Sequence, residues 1–258
     1  MSNTALVTGA SSGIGLEFAR YHAKLGGDVI ITARRKDQLE SLKTELESAH
    51  DVKVTAIALD LGAADGAETL YHTVKEAGLS VNILINNAGF GGHGAFIERD
   101  LAADQAMIDL NVKSLVDLSH RFGRDMAAQG SGKILNVSST AAHMPGPLQA
   151  TYFATKAFVS SFSKALDEEL RSKGVSVTAL EPGYVATEFA KTADLEGTAL
   201  TKGGGKTPAD VAKIGYDAML AGKLTVINEA MLAFQIRWVL PLLPERLKMK
   251  LIRRMQEK

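Results

Sequence analysis

No cysteine occurs in this 258-residue chain, tryptophan occurs once and proline six times. The missing thiols exclude disulfides, thiol nucleophiles and thiolate metal sites, and they fit a reducing compartment. Neither sign of charge is in excess, since 29 Lys and Arg balance 29 Asp and Glu. The basic residues are scattered rather than striped, so nucleic acid is not expected as a partner. Long hydrophobic runs are lacking too. The late stretch Met231 to Leu243 is broken by Gln235, Arg237 and Pro241; it is too short to span a bilayer but can lie on one as a peripheral contact. No charged-then-apolar leader precedes the first apolar run, and the expected location is cytoplasmic.

What is present is an alternation. Short β-branched runs at Thr4–Thr8, Asp28–Ala33, Lys53–Leu59, Ile83–Asn86, Lys133–Val137, Val175–Leu180 and Leu224–Ile227 are separated by longer segments of helical period. The pattern predicts an α/β fold, a doubly wound parallel sheet of these seven strands with helices on both faces, as one domain over 1–258. Asp37 with Glu40 predicts a capping box opening a helix over Asp37–His50, and Thr207-Pro208 with Asp210 predicts a second cap. Further helices are expected over Ala102–Ala128 and Thr151–Lys173. Residues 187–206 end in Lys202-Gly203-Gly204-Gly205-Lys206 just past a strand's carboxyl end, where open sheets bind ligands, and read as a substrate lid.

Two motifs carry chemistry. Thr8-Gly9-Ala10-Ser11-Ser12-Gly13-Ile14-Gly15 follows the first strand, the setting in which free backbone N–H groups and a helix dipole hold a pyrophosphate. Roughly twenty residues past such glycines an acid would grip the ribose hydroxyls of NAD. Here that place falls on Ala33, followed by Arg34 and Arg35. A guanidinium suits a 2′-phosphate, so NADP(H) is the expected cofactor, with Arg34 preferred and Arg35 equally readable as surface charge. Downstream, Tyr152 and Lys156 share one helix face, where an ammonium stabilises a phenolate and brings proton transfer nearer neutral pH.

In this order, and with Asn86-Asn87-Ala88-Gly89, Asn111, Ser138-Ser139 and Pro182-Gly183 beside them, the motifs resemble those of the short-chain dehydrogenase/reductase family over nearly the whole chain. The resemblance implies a Rossmann-type fold. It also implies cofactor contacts from Gly9, Ser11, Ser12, Gly13, Ile14 and Gly15 in the turn. Further contacts fall to Asp60 and Leu61 at the adenine end, to Asn87, Ala88 and Gly89 beneath the dinucleotide, and to Pro182, Gly183, Val185 and Thr187 towards the nicotinamide. Gly9 would make the turn, Gly13 the approach to phosphate and Gly15 the packing of helix on strand. Asn87 reads equally as a backbone tie.

A catalytic set of Asn111, Ser139, Tyr152 and Lys156 follows from the same resemblance. Tyr152 donates a proton to the developing alkoxide, Ser139 hydrogen-bonds the same oxygen, Lys156 lowers the Tyr152 pKa and binds ribose, and Asn111 positions a relay water. None of these roles needs a metal. The family's serine lies thirteen residues before the tyrosine, which selects Ser139 over Ser138. His93 and His143 receive no role.

The ending differs from the acyl carrier protein-dependent ketoacyl reductases of the family, which close on an aspartate-glycine-glycine sequence. It is similar to a branch holding carbonyl, ketoacyl and steroid reductases, some of them membrane-associated. Residues 229–258 form an extension in which Leu247, Leu251 and Met255 recur at helical spacing among basic residues. Such a stripe lies on a membrane, shields a lipophilic substrate, or is core or subunit interface. The expectation is an NADP(H)-dependent oxidoreductase that reduces a small-molecule ketone or aldehyde, or oxidises the matching secondary alcohol, by hydride transfer. It forms a homodimer or homotetramer through the helices over Ala102–Ala128 and Thr151–Lys173. Alternatives are a non-catalytic NADP(H)-binding sensor or scaffold and a 3-oxoacyl thioester reductase; an enoyl reductase would have wider Tyr to Lys spacing.

Overall fold

The computed structural model describes residues 3–202 and 205–258. Gly203 and Gly204 of the expected lid, and Met1 beside the expected absence of a leader, lie outside the described residues. Strands β1 (Thr4–Thr8), β2 (Asp28–Ala33), β3 (Val54–Ala58), β4 (Ile83–Asn86), β5 (Gly132–Val137), β6 (Val175–Leu180) and β7 (Thr225–Val226) form one parallel sheet in the order β3-β2-β1-β4-β5-β6-β7. Order reverses between β1 and β4, so a crevice opens at the carboxyl ends of those two strands. Every residue of β1 is buried, as a central strand covered on both faces requires.

Helices α1 (Gly13–Lys24), α2 (Lys36–Ala49), α3 (Gly66–Glu76), α4 (Leu101–Ile108), α5 (Leu115–Gln129), α6 (Ala150–Arg171), α7 (Phe189–Thr192), α8 (Ala199–Lys202), α9 (Pro208–Leu220), α10 (Ala230–Phe234) and α11 (Glu245–Gln256) connect and follow the strands. Alternate residues of β1 face opposite layers. Ala5 and Val7 pack with α1, α2 and α9, whereas Leu6 packs with α3 and α5. In α5 the buried Leu115, Leu118, Phe122 and Met126 recur at three- and four-residue steps, one apolar stripe laid on the sheet. Each such side chain contributes roughly 1.5–3 kcal/mol by leaving water.

Four expectations are corrected. The helix expected at Asp37 begins at Lys36 with Arg35 at the cap and no side-chain cap bond; Asp37 therefore lies inside the first turn, where its carboxylate faces the helix dipole rather than an orphan N–H. The helix expected over Ala102–Ala128 is three pieces, because a π turn spans Asp109–Ser114. Third, β3 and β7 are shorter than expected at both ends, although Val29 N still donates to Lys53 O and Leu59 N to Ala33 O. Finally, Leu247, Leu251 and Met255 are 43%, 41% and 43% exposed, so the late stripe is not core. The cap at Thr207 is as expected: its side chain accepts from Asp210 N at 3.1 Å, with Pro208 in the first turn.

Candidate active site

The loop between β1 and α1 turns back on itself through two left-handed glycines, Gly9 (φ 67°) and Gly13 (φ 58°). A Cβ on Gly15 would lie 2.3 Å from Gly9 O and 2.4 Å from Asn87 Nδ2, so Gly15 is required by the turn itself rather than by packing on the strand. Asn87 acts as the tie: its side-chain amide donates to Thr8 O at 2.9 Å, and its N–H donates to Thr8 Oγ1 at 2.9 Å. The switch point is thereby locked across β1 and β4. Ser12 caps α1 without a side-chain bond, and no acid lies in the first turn, so those N–H groups remain open to an anion.

Arg35 reaches over this turn, donating to Ser11 Oγ at 3.1 Å and to Ser12 Oγ at 2.7 Å, and pairs with Glu188 at 3.0 Å. That pairing holds the Glu188 carboxyl below its ordinary range. Arg34 is exposed beside it, and both arginines border a cavity of about 900 Å³. Asp60 accepts from Gly62 N at 2.9 Å and Leu61 O accepts from Ser114 Oγ, which fixes the loop after β3 on the same wall. A glycine cradle, open helix N–H groups and two adjacent guanidinium groups without an acid at Ala33 fit a phosphorylated dinucleotide.

Farther along, three residues of the expected catalytic set, Ser139, Tyr152 and Lys156, line the cavity, and Asn111 stands behind them. Lys156, buried, donates from Nζ to Val137 O at 2.9 Å, and Nζ lies 5.8 Å from the centre of the Tyr152 ring. Burial pulls the Lys156 ammonium down to about 8. It pushes the Tyr152 phenol up to about 12, against a pull the other way from the Ser139 hydroxyl. Asn111 sits in the π turn, its amide closing a two-way clasp on Phe90: Oδ1 accepts from Phe90 N at 3.1 Å and Nδ2 donates to Phe90 O at 2.9 Å. An added Cβ on Gly89 would lie 2.9 Å from Asn111 Oδ1 and 3.7 Å from Lys156 Nζ, which places both groups round one point. The serines divide as strand alternation demands. Ser138 is buried and donates to Lys156 O at 2.8 Å, whereas Ser139 stands half-buried at the cavity next to Tyr152.

Val185 and Thr187 lead into the segment expected to act as a lid; Thr187 lies against Gly13, and its hydroxyl accepts from Phe189 N at 3.2 Å. Phe189 on α7 packs on Tyr152 with ring centres 5.4 Å apart. Beyond it the far wall belongs to the tail: Leu232, Ile236, Leu240, Leu243 and Ile252 line the cavity. Gln256, wholly buried, receives a bond from the Gln149 amide, and its carbonyl is 2.7 Å from His93 Nε2. Gln149 Oε1 and Gln256 Nε2 are left without a partner among the described residues.

The cavity thus gathers all the expected site residues except Asn111 and Gly15, which support it from behind. Sequence reading missed Gln149, Glu188, Phe189 and Leu232. Glu188 and Phe189 adjoin Thr187 and were within reach of the lid motif. Gln149 and Leu232 meet the site only through tertiary contacts. His93 and His143 prove to be anchors: the latter lies 2.9 Å from the buried Glu181, fastening the turn after Ser139 to the strand end before Pro182.

A family model described as short chain dehydrogenase matches residues 3–196. The chain belongs to that family, whose members are oxidoreductases using a nicotinamide cofactor. Similar curated proteins include the very-long-chain 3-oxoacyl-CoA reductase of Homo sapiens, 36% identical over 193 residues, covering 72% of this chain and 61% of that one. The serine 3-dehydrogenase of Agrobacterium fabrum is 38% identical over 190 residues, 73% of this chain and 74% of that one. The chain spans less than two thirds of the length of the human reductase. Among solved structures, a short-chain dehydrogenase from Sphingobium yanoikuyae in complex with NADPH superposes with a TM-score of 0.84 at 29% identity, covering 93% of this chain and 92% of that one.

Proposed function

We propose that this protein is an NADP(H)-dependent reductase of lipophilic ketones or aldehydes, able to oxidise the matching secondary alcohols, with Tyr152 as proton donor. The observation that carries the reading is the convergence of Tyr152, Ser139, Lys156 and Asn111 beside a phosphate-binding turn. Gly9 to Gly15, Arg34 and Arg35 would hold the dinucleotide, which when bound supplies the hydride. The Tyr152 and Ser139 hydroxyls receive the carbonyl oxygen, and Tyr152 gives up its proton as charge develops there. A charged Lys156 would favour the phenolate as the proton leaves, working against the burial that raises the Tyr152 phenol, to which Lys156 does not otherwise contribute, and Asn111, fixed through Phe90, would keep a polar route open behind Lys156.

The apolar far wall supports the lipophilic class. The likeness to a very-long-chain 3-oxoacyl-CoA reductase favours 3-oxoacyl thioesters as a second reading, whereas the likeness to a serine dehydrogenase points to small polar substrates; the wall of leucines and isoleucines supports the former over the latter. Homo-oligomerisation through α4 and α6 is part of the proposal, because Leu101, Ile108 and Phe158 there are 63%, 40% and 42% exposed. Light scattering at micromolar protein checks it.

The central test is Tyr152→Phe, assayed by NADPH consumption over carbonyl compounds of graded size. Loss of one transition-state hydroxyl is expected to lower turnover by about 10²–10⁴-fold while NADPH binding stays nearly intact. Normal turnover by the variant on a verified substrate would refute the donor role and return the protein to a cofactor-binding scaffold.

A further inference from the structure

The tail wall is apolar on both sides. Leu232, Ile236 and Leu243 face the cavity, while Met231, Phe234, Trp238 and Leu242 on the same stretch are 70%, 56%, 67% and 82% exposed. An ordinary amphipathic segment would turn charge to the outside. Here an outward patch of large apolar groups rises at three- and four-residue steps, directly behind the residues that border the proposed substrate.

Charge gathers round the same patch. Residues 229–258 hold seven Lys and Arg against three Asp and Glu, leaving 22 against 26 in the rest of a neutral chain. Arg237, Arg246, Lys250 and Arg254 are exposed and pair with no carboxylate among the described residues. Arg237 interrupts the apolar patch itself, and the other three lie on α11, which follows it. A second copy seated by two-fold symmetry would bring these cations against their own images, which costs association. An anionic lipid surface meets both features at once, since the apolar side chains enter the headgroup boundary and the cations stay at the phosphates.

We infer that the outer face of residues 231–254 docks this protein on an anionic membrane surface and sets the substrate cavity one side chain away from the lipid. The reason for docking rests on the lipophilic-carbonyl reading; the docking itself does not. No helix among the described residues is long and apolar enough to cross a membrane, so the contact is interfacial.

Trp238 is the sole tryptophan and lies in the patch, so the protein carries its own reporter. Fluorescence of the full chain, without substrate or cofactor, is titrated with phosphatidylcholine vesicles with and without phosphatidylserine. A blue shift is expected on phosphatidylserine-containing vesicles, with at least tenfold weaker binding to pure phosphatidylcholine and weakening in salt. Met231→Ser with Leu242→Ser should lose vesicle binding by about tenfold or more while activity on a water-soluble carbonyl compound is unchanged, since neither residue borders the cavity. Arg246→Glu with Lys250→Glu should abolish the preference for phosphatidylserine. The inference is overturned by an unshifted Trp238 on all vesicles, or by a blue shift that follows protein concentration alone and marks a second copy as the occupant. Because the vesicle titration itself reads no turnover, its failure leaves the catalytic proposal standing, and an inactive Tyr152 centre leaves vesicle binding standing.

Discussion

The two ends of the cavity are built by opposite means. The dinucleotide end is made of backbone and short polar side chains: glycines in left-handed turns, Asn87 tied to Thr8, and serines under Arg35. Almost every group there is fixed by the sheet, because each loop leaves directly from a strand end. The other end is made of side-chain bulk from Phe189 on α7, before the last strand, and from Leu232, Ile236 and Ile252 on the helical segments that follow it. Directional bonds specify a charged ligand of fixed shape, whereas apolar surface accepts any ligand of matching volume. The family match, residues 3–196, covers the first kind of wall and stops before most of the second.

Substitutions at the two ends should therefore fail differently. The largest effect is expected from Arg34→Ala and Arg35→Ala, each costing about tenfold or more in NADPH affinity and little in NADH affinity, on the scale of 1.5–3 kcal/mol for a charge-assisted bond. Titration calorimetry with both cofactors checks this, and equal losses would break the division. Next, Leu232→Ala with Ile236→Ala should raise KM for lipophilic carbonyl compounds by about fivefold while leaving NADPH affinity and KM for small polar compounds alone. A uniform loss of activity with a lower melting temperature would show that the tail is only a structural support. The smallest effect concerns pH. With Lys156 at about 8, its charged form is present below that value and lost above it. The rate of carbonyl reduction should fall by about fourfold between pH 7 and 8.5, and Lys156→Arg should remove that limb, as pH–rate profiles would show.

The sheet and its dinucleotide end were legible because their signals are local. A β-branched run, a glycine at a fixed offset and a Tyr-Lys pair each declare themselves within eight residues. The Asp37 cap failed because the cap position falls two residues earlier, at Arg35, and capping depends on that register. The π turn at Asp109–Ser114 left no mark because its extra residue is accommodated by tertiary bonds, Ser114 Oγ to Leu61 O among them. For the tail, helical spacing was visible, but both of its faces are apolar, and periodicity cannot say which one meets the cavity. Arg35 rather than Arg34 grips Ser11 and Ser12 because the turn folds back beneath it, a contact across 23 and 24 residues.

Gln149 and Gln256 make the α11 wall of the cavity an uneasy one. Two primary amides joined by one bond still hold a spare acceptor and a spare donor, and each polar atom sealed from water without a partner costs roughly 1–3 kcal/mol. The apolar contacts of α11 press it down while the two amides favour its lifting, a balance absent from the sheet. The seat of Gln256 should then open as a local event far more often than the protein unfolds, and amide hydrogen exchange along 245–256 should be much faster than in β1. Equal exchange in 245–256 and in β1 would show instead that the paired amides hold α11 down as firmly as the sheet holds its strands.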